Sequence, residues 1–173
     1  VGGQIANNLV VPLARAGYPI LGTSPQDINK AENRAIFSTM LNDLGIDQPE
    51  WQSVTTLEKA KEFSDKVGYP TLVRPSYVLS GAAMNVIYSE DALEQYLAEA
   101  TSVSPEHPVV ISDFINNAKE LEMDGVAENG EIVIYAISEH VENAGVHSGD
   151  ATIVLPPQNL YLETIRRAKR ITK

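Results

Sequence analysis

The sequence predicts an α+β or mixed α/β fold, because two kinds of hydrophobic pattern follow one another along the chain. Before Glu120, segments with apolar residues at helical spacing alternate with short apolar runs bounded by glycine and proline. From Glu120 onward apolar residues recur at every second position, which is typical of an antiparallel hairpin. The length of 173 residues suits one domain of ordinary size.

The first part of the chain predicts two helices with a strand between them. Residues 5–16 have helical spacing and end at Gly17, a suitable C-terminal cap. The apolar run "YPILG" then predicts a short buried strand. One helix over residues 25–44 begins at a Ser-Pro pair and ends at Gly45. Its expected buried side consists of Ile28, Ala31, Ala35, Phe37, Leu41 and Leu44.

A third helix is predicted over residues 57–67, with Thr55 or Thr56 as its N-terminal cap and Gly68 at its end. The residues expected on its buried stripe are Leu57, Ala60, Phe63 and Val67. The strands predicted after it are "YPTLVRP", "AMNVIYS" and "HPVVISDFI". Ser89 is expected to cap the helix "EDALEQYLAEAT", which lies between the second and third of these strands.

The remainder of the chain predicts a hairpin, a polar loop and a terminal helix. Asn129 and Gly130 form a strong turn signal within "ENGE". The polar stretch "VENAGVHSGD" predicts a loop, and "ATIVLPP" a further strand before the amphipathic segment "YLETIRRAKRITK". Because the chain begins on an apolar segment and stops inside this basic helix, we expect a fragment of a longer polypeptide.

Composition excludes several classes of function. A formal net charge of -10 argues against a general nucleic-acid surface, since phosphate binding of that kind needs a basic field. The absence of cysteine excludes disulfides and zinc-thiolate sites. No apolar run approaches the ~18 residues of a membrane helix. The sequence also lacks the P-loop, the G-x-G-x-x-G fingerprint, the H-E-x-x-H motif and the nucleophile elbow.

Two arginines are candidate anion ligands. Arg74 stands where an apolar strand ends, and Pro75 forces extended or turn geometry on it, so its side chain is aimed by a stiff backbone. A partner carboxylate at the edge of the core is the alternative to a ligand. Arg34 lies in a helical pattern, where a plain surface role is the alternative. The loop over residues 76–83 contains Ser76, Ser80 and Gly81, and its small residues permit close approach of a ligand.

Polar residues cluster again in the second part of the chain. Glu120, Glu122 and Asp124 occupy alternate positions of a predicted strand and so share one face, where they are either solvated or accept hydrogen bonds from ligand hydroxyls. The stretch "ISEHVENAGVHSGDAT" is the densest polar segment. Metal ligation by His140 and His147 is an alternative without support from a known ligand spacing.

Five separated segments together resemble one family, the large synthetase component of carbamoyl phosphate synthetase. They are "GTSPQDINKAENRAIFS", "YPTLVRPSYVLSGAAM", "HPVVISDFI", "AKELEMD" and "ISEHVENAGVHSGDAT", in the family's order and spacing. The resemblance covers essentially the whole chain and implies the ATP-grasp fold. It is nearer to the second of the family's two homologous halves, which phosphorylates carbamate. The loops "PSYVLSG" and "AGVHSGD" are most similar to the eukaryotic multifunctional enzymes of pyrimidine synthesis.

The resemblance implies a layout and a set of ligands. Residues 1–24 would end a domain that precedes the ATP-grasp domain, residues 25–173 would form part of that domain, and the lid would span roughly 50–112. ATP with Mg²⁺ or Mn²⁺ would be bound, with the metal-binding residues downstream of residue 173. The expected partners are carbamate, the other synthetase domains and a glutaminase domain or subunit, with neither nucleic acid nor membrane. The expected location is the cytoplasm, or the mitochondrion for an enzyme of arginine or urea synthesis.

Site residues follow from the resemblance one by one. Arg34 and Arg74 match the arginines that face the ATP phosphates and act in catalysis. Asp113 to Ile115 match the linker that meets adenine, and Glu120 matches the carboxylate that accepts from the ribose hydroxyls, which suits an acceptor-only side chain. The residues that match a loop lining the nucleotide site are Gly145, Val146, His147 and Ser148.

Departures from the family pattern limit these expectations. Asp113 stands where relatives have histidine or lysine, which puts a side-chain role there in doubt while a backbone contact would survive. Without the metal carboxylates, we expect this chain alone to bind nucleotide weakly at most and not to transfer phosphate. The alternatives are a non-catalytic nucleotide-binding or regulatory ATP-grasp module, another ligase of the same fold, and a purely structural domain.

Overall fold

The computed structural model of the chain describes residues 3–78, 83–146 and 149–173. The chain divides into two compact units, Val1–Phe114 and Ile115–Lys173, called here the first and second unit. Each unit mixes helices with an antiparallel sheet, as the sequence patterns predict. The predicted boundary at residue 25 and the predicted lid over residues 50–112 stay predictions.

The first unit contains five helices and a four-stranded sheet in the described residues. The helices are α1 (Gly3–Arg15), α2 (Pro25–Glu32), α3 (Arg34–Asp43), α4 (Leu57–Val67) and α5 (Glu90–Val103). The strands are β1 (Trp51–Val54), β2 (Thr71–Arg74), β3 (Asn85–Ile87) and β4 (Val109–Asp113). All neighbours in the sheet are antiparallel, in the order β1-β4-β2-β3. Strand β2 is therefore central, with a partner on both sides.

The core of the first unit lies between this sheet and helices α4 and α5. Val73 and Ile111 from the central strands are fully buried, as are Ala60 of α4 and Leu93 of α5. The predicted cap at Thr56 is confirmed, since its side chain accepts from the Lys59 N–H at 3.4 Å at the start of α4. Ser89 stands at the predicted start of α5 but makes no side-chain cap hydrogen bond. Burying such a set of aliphatic side chains contributes about 1.5–3 kcal/mol each.

Two element predictions in the first unit are wrong, and one strand was missed. "YPILG" is not a strand, and Leu21 in it is 93% exposed. The helix predicted over residues 25–44 is broken at Asn33, whose extended backbone ends α2 and whose side chain accepts from two N–H groups of α3. Leu44, predicted to be buried, is 64% exposed. Strand β1 forms where the sequence predicts none, because its pairing with β4 comes from distant residues.

The second unit is a three-stranded sheet with a helix. Its elements are β5 (Lys119–Glu128), β6 (Glu131–Asn143), β7 (Ile153–Val154) and α6 (Leu162–Thr172). The hairpin between β5 and β6 turns at Asn129 and Gly130, with φ of 52° and 83°, which confirms the predicted turn. The strand predicted from "ATIVLPP" is shorter than expected, since only two residues pair with β6.

Within the described ranges, no helix combines the length and the apolar character needed to cross a membrane.

Candidate functional site

Arg74 is placed at the end of the central strand of the first unit. Along β2 the side chains alternate between buried and half-buried, so Thr71 and Val73 face the core while Arg74 lies on the opposite face. The next two residues, Pro75 and Ser76, are fully buried. The backbone on both sides of the arginine is therefore held in place, as the prediction of a stiffly aimed side chain requires.

Among the described residues, the Arg74 guanidinium has no counterion. Its Nε is buried and makes no hydrogen bond, and no carboxylate in the described part of the chain forms an ion pair with it. Desolvation, and then repulsion by the nearby Arg34, lower the pKa of Arg74 to about 10. The partner carboxylate that the sequence left open as an alternative is absent from the described residues. A buried cation of this kind is stabilised when an anion binds beside it.

Arg34 is brought to Arg74 by the break in the long helix. It is the first residue of α3, directly after the capping residue Asn33, which is 8% exposed. The Arg34 N–H donates to the Ser76 Oγ at 3.0 Å, so the start of α3 is bonded to the segment that follows Arg74. The two predicted arginines thus lie together in the first unit, although 40 residues separate them in the sequence.

Asp113 ends β4 next to β1 and β2. Its N–H donates to the Glu50 oxygen at 2.9 Å, and the Phe114 N–H donates to the Pro70 oxygen at 3.3 Å. The N–H groups of these two linker residues are therefore used inside the first unit. Ile115, the first residue of the second unit, is 54% exposed.

The acidic residues Glu120, Glu122 and Asp124 of β5 are called here the carboxylate row. A histidine of β6, which the sequence patterns do not associate with this row, lies beside it. Glu120 and Glu122 flank His140, with Glu120 Oε2 at 3.8 Å from Nδ1 and Glu122 Oε1 at 3.3 Å from Nε2. The His140 side chain is fully buried, and neither ring nitrogen makes a hydrogen bond. Oxygens of the two carboxylates and a nitrogen of the ring lie within 4.8 Å of one another. Two acidic groups of the predicted row thus lie beside the same ring.

A buried carboxylate lies on the other face of the hairpin. Glu139 is 6% exposed and accepts from the Asn159 N–H, at 3.1 and 3.0 Å to its two oxygens, and from the Asn159 side chain at 3.0 Å. Burial alone would raise the pKa of Glu139, but hydrogen bonds from Asn159 and Gln158 outweigh burial and lower it. This carboxylate is therefore held ionised by the segment before α6.

The polar loop after β6 is described in part. Gly145 has a φ of 111°, a conformation that favours glycine, and Val146 is 37% exposed. Glu142, at the end of β6, accepts from the Thr152 N–H at 2.8 Å and from the Thr152 hydroxyl at 2.9 Å. The predicted site residues His147 and Ser148 lie outside the described residues, as do Ser80 and Gly81.

Comparison with a family model identifies the relationship of the chain. The model described as "Carbamoyl-phosphate synthase L chain, ATP binding domain" matches residues 33–171. That range contains both arginines and the carboxylate row.

Curated proteins give the same relationship over the whole chain. The multifunctional protein pyr-3 of Neurospora crassa is 61% identical over 173 residues, which are 100% of this chain and 9% of that protein. The mitochondrial carbamoyl-phosphate synthase [ammonia] of Rattus norvegicus is 56% identical over 173 residues, which are 100% of this chain and 12% of that protein. The chain thus spans a small part of the length of these relatives.

Solved structures show the fold at low sequence identity. The biotin carboxylase domain of 2-oxoglutarate carboxylase from Hydrogenobacter thermophilus matches 97% of this chain and 38% of that chain, with a TM-score of 0.76 and 16% identity. D-alanyl-alanine synthetase A from Vibrio cholerae matches 98% of this chain and 54% of that chain, with a TM-score of 0.74 and 20% identity. The predicted ATP-grasp fold is confirmed, as part of a domain.

Proposed function

This chain belongs to the family of carbamoyl-phosphate synthase L chain ATP-binding domains, and on that premise we propose that it supplies part of the nucleotide site of an ATP-dependent ligase that phosphorylates carbamate. In that reaction a carbamate oxygen attacks the γ-phosphorus of ATP, the bond to the β-phosphate oxygen breaks, and ADP leaves with its electron pair. The products are carbamoyl phosphate and ADP. The carbamate is formed from bicarbonate and glutamine-derived ammonia.

One observation carries the proposal, namely the uncompensated pair of arginines in the first unit. Arg74 has a buried Nε without a partner, and its pKa is lowered to about 10 by desolvation and by Arg34. A purely structural arginine at such a position needs a carboxylate, because an unpaired buried cation costs several kcal/mol. A polyphosphate meets that requirement, since guanidinium groups match phosphate oxygens in geometry and charge.

The chemistry assigned to these residues is positioning and charge neutralisation. Phosphoryl transfer has a loose transition state, so catalysis consists mainly of holding the phosphates and balancing their charge. In the proposal, Arg34 and Arg74 bind phosphate oxygens, and the fixed backbone around Arg74 limits the reorganisation that would otherwise slow the reaction.

In the proposal, residues of the second unit contact the ribose of ATP and supply part of the loop that lines the nucleotide site. We propose that Glu120 accepts hydrogen bonds from the ribose hydroxyls, that Asp113 to Ile115 meet the base, and that residues 145–148 line the site. Glu120 suits this role because it is half-buried and its carboxylate only accepts hydrogen bonds. The N–H of Asp113 is used inside the first unit, so it is not available to the base.

A divalent cation is part of the proposed reaction. Mg²⁺ or Mn²⁺ bound to ATP would neutralise the β- and γ-phosphate charge. The residues that hold the cation are proposed to follow residue 173, because the acid and histidine cluster of Glu120, Glu122 and His140 includes the residue assigned to the ribose. We therefore assign no metal ligand within the described part of this chain.

The pathway and compartment are proposed from the curated relatives. Identity is 61% to the multifunctional pyr-3 protein and 56% to the mitochondrial ammonia-dependent synthase of the rat. We propose the multifunctional pyrimidine type, in the cytoplasm, with a glutaminase domain and the other synthetase domains as partners. The arginine or urea type, in the mitochondrion, is the competing assignment.

The test uses the full-length protein that contains this chain. Reverse phosphoryl transfer, the formation of ATP from ADP and carbamoyl phosphate, isolates the proposed half-reaction from the earlier steps. We expect Arg74→Met and Arg34→Met to lower its rate at least about 30-fold, the equivalent of losing one charge-assisted contact. Arg15→Met, at an exposed arginine of α1, is the matched control and should leave the rate unchanged.

Two outcomes would reject the proposal. Binding of ATP without any phosphoryl transfer by the unmodified full-length protein would favour a non-catalytic nucleotide-binding module. Phosphoryl transfer that is unaffected by both arginine substitutions would place the nucleotide elsewhere.

A further inference from the structure

Tyr77, three residues after Arg74, contacts the α2–α3 segment through both its side chain and its backbone. Its hydroxyl donates to the Asn29 Oδ1 at 2.5 Å, and its N–H donates to the Glu32 oxygen at 3.3 Å. Asn29 and Glu32 both belong to α2, which ends one residue before Asn33. The residues after the arginine of β2 are thus bonded to the helix that precedes Arg34.

The Tyr77 ring makes a third contact, with His107. The two rings are stacked, with centroids 4.7 Å apart and planes at 16°. The His107 Nδ1 lies 3.4 Å from the side-chain Nδ2 of Asn33. The Asn33 Oδ1 accepts from the Ala35 and Ile36 N–H groups at the start of α3. His107 therefore connects Tyr77 to the residue that caps the helix beginning at Arg34.

The backbone of Tyr77 is strained to make these contacts. Its φ is 55°, in the left-handed region, where an aromatic residue costs of order 1 kcal/mol or more. Burial, and then the nearby Glu32 carboxylate, raise the pKa of Tyr77, so the hydroxyl keeps its proton and remains a donor to Asn29. Since Tyr77 adopts this conformation and makes three separate contacts, the contacts offset the cost of its backbone conformation.

The contacts close a loop of interactions around the two arginines. On one side the Arg34 N–H donates to the Ser76 Oγ, and on the other Tyr77 is held by Asn29, Glu32 and His107. Both arginines are thereby held near each other despite the repulsion that lowers the pKa of Arg74. Without such bonds, like charges would move the two chain segments apart.

We infer that Tyr77 is a positioning residue, which fixes Arg74 relative to Arg34 so that both guanidinium groups are set for one polyphosphate before it binds. This inference rests on the proposed function, since it assigns the ligand of the arginine pair to ATP. Tyr77 itself contacts no phosphate in this arrangement. Its effect on the nucleotide passes entirely through Arg74.

The experiment measures ATP kinetics of the full-length protein with Tyr77→Gly, Tyr77→Phe and Arg74→Met. Glycine removes the ring and suits the positive φ, so this variant avoids the strain that alanine would keep. We expect Tyr77→Gly to raise KM for ATP about tenfold with a smaller change in kcat, and Tyr77→Phe, which keeps the stacking, to raise it about threefold. Tyr88→Phe, at a tyrosine that is 69% exposed, is the matched control and should change neither constant.

The decisive measurement is the double variant Tyr77→Gly with Arg74→Met. If Tyr77 acts through Arg74, Tyr77→Gly should add nothing to the loss already caused by Arg74→Met. Losses that add in full would overturn the inference and leave Tyr77 a merely structural residue. A KM unchanged by Tyr77→Gly in a protein that still responds to Arg74→Met would overturn it as well.

The same set of variants separates this inference from the proposed function. If Arg74→Met leaves both the rate of phosphoryl transfer and KM for ATP unchanged, the proposed nucleotide site is wrong, whatever Tyr77→Gly does. Should Tyr77→Gly fail to fold, Tyr77→Phe and its double variant with Arg74→Met provide the same test of additivity with a smaller expected effect.

Discussion

Each unit of the chain holds like charges close together, but the groups that surround these charges differ between the two units. In the first unit Arg34 and Arg74 lie near each other, and no carboxylate of the described residues pairs with them. In the second unit Glu120 and Glu122 flank the buried ring of His140. One pair of charges therefore has no counterion among the described residues, whereas the other pair has a histidine ring beside it. Uncompensated charge is the feature that makes the arginine pair the candidate anion site of the first unit.

The largest expected effect comes from removing the uncompensated cation. Arg74→Met should stabilise the unliganded chain by about 1–2 kcal/mol, because an unpaired desolvated charge is replaced by an apolar side chain of similar length. Urea unfolding followed by the fluorescence of Trp51, the single tryptophan, reports on the first unit. Arg15→Met is the control, since Arg15 is exposed. A destabilised Arg74→Met chain would mean that Arg74 has a structural partner.

The second unit should respond in the opposite direction to loss of its buried ring. His140→Leu leaves Glu120 and Glu122 without the group between them, and because both carboxylates are about one-third exposed we expect the β5–β6 hairpin to lose only about 1 kcal/mol. Urea unfolding followed on the amide NMR signals of β5 and β6 measures this loss. The double variant His140→Leu with Glu122→Leu should recover part of it.

A control tests whether the effect belongs to the cluster. Glu128 is an exposed carboxylate of β5, the strand that also carries Glu120 and Glu122. Glu128→Gln should change the stability of the hairpin by no more than about 0.5 kcal/mol. If His140→Leu lowers the stability of the hairpin no more than Glu128→Gln does, the contrast between the two units is wrong.

The smallest expected effect is a change in acid stability of the second unit. Hydrogen bonds from the Thr152 N–H, and then others including the Thr152 hydroxyl, lower the pKa of Glu142 below its usual 4.5. The unfolded chain therefore takes up a proton at Glu142 first as the pH falls, so this stability is present above the unfolded pKa and is lost as the pH falls through the folded one. Glu142→Gln should flatten the loss of hairpin stability between about pH 5 and pH 3.

The measurement is the same NMR-detected unfolding repeated across that pH range. Glu128→Gln again serves as the control and should keep the pH dependence of the unmodified chain. An equal pH dependence in Glu142→Gln would assign the acid sensitivity to other groups, among them Glu139 with its bonds from Asn159.

Local signals predicted most elements, and long-range pairing explains the errors. The helix ends at Gly68 and the turn at Asn129 and Gly130 are confirmed, because glycine and asparagine satisfy backbone conformations that few other residues adopt. The apolar run "YPILG" is not a strand, since a strand needs a partner and none pairs with it in the described residues. Strand β1 forms in a less apolar segment because β4 supplies that partner.

From the sequence, the resemblance to the family predicts which residues meet a nucleotide and where they stand along the chain. Arg34 and Arg74 were predicted together through the resemblance, although the break at Asn33 that brings Arg34 beside Ser76 was not. Helical spacing continues through Asn33, so only the contacts of its side chain with α3 and His107 show why the helix is divided there.

The register of the β5–β6 hairpin, which the sequence does not predict, sets which residue of β6 meets the carboxylate row. From the turn, Glu128 pairs with Glu131 and Ala127 with Ile132, and an unbroken hairpin would place Glu122 opposite Ile137. A bulge between Val126 and Ala127 inserts one extra residue on β6, so Glu122 pairs with Ser138 instead. A shift of one residue exchanges the faces of a strand, and for that reason His140, and not Glu139, lies between Glu120 and Glu122.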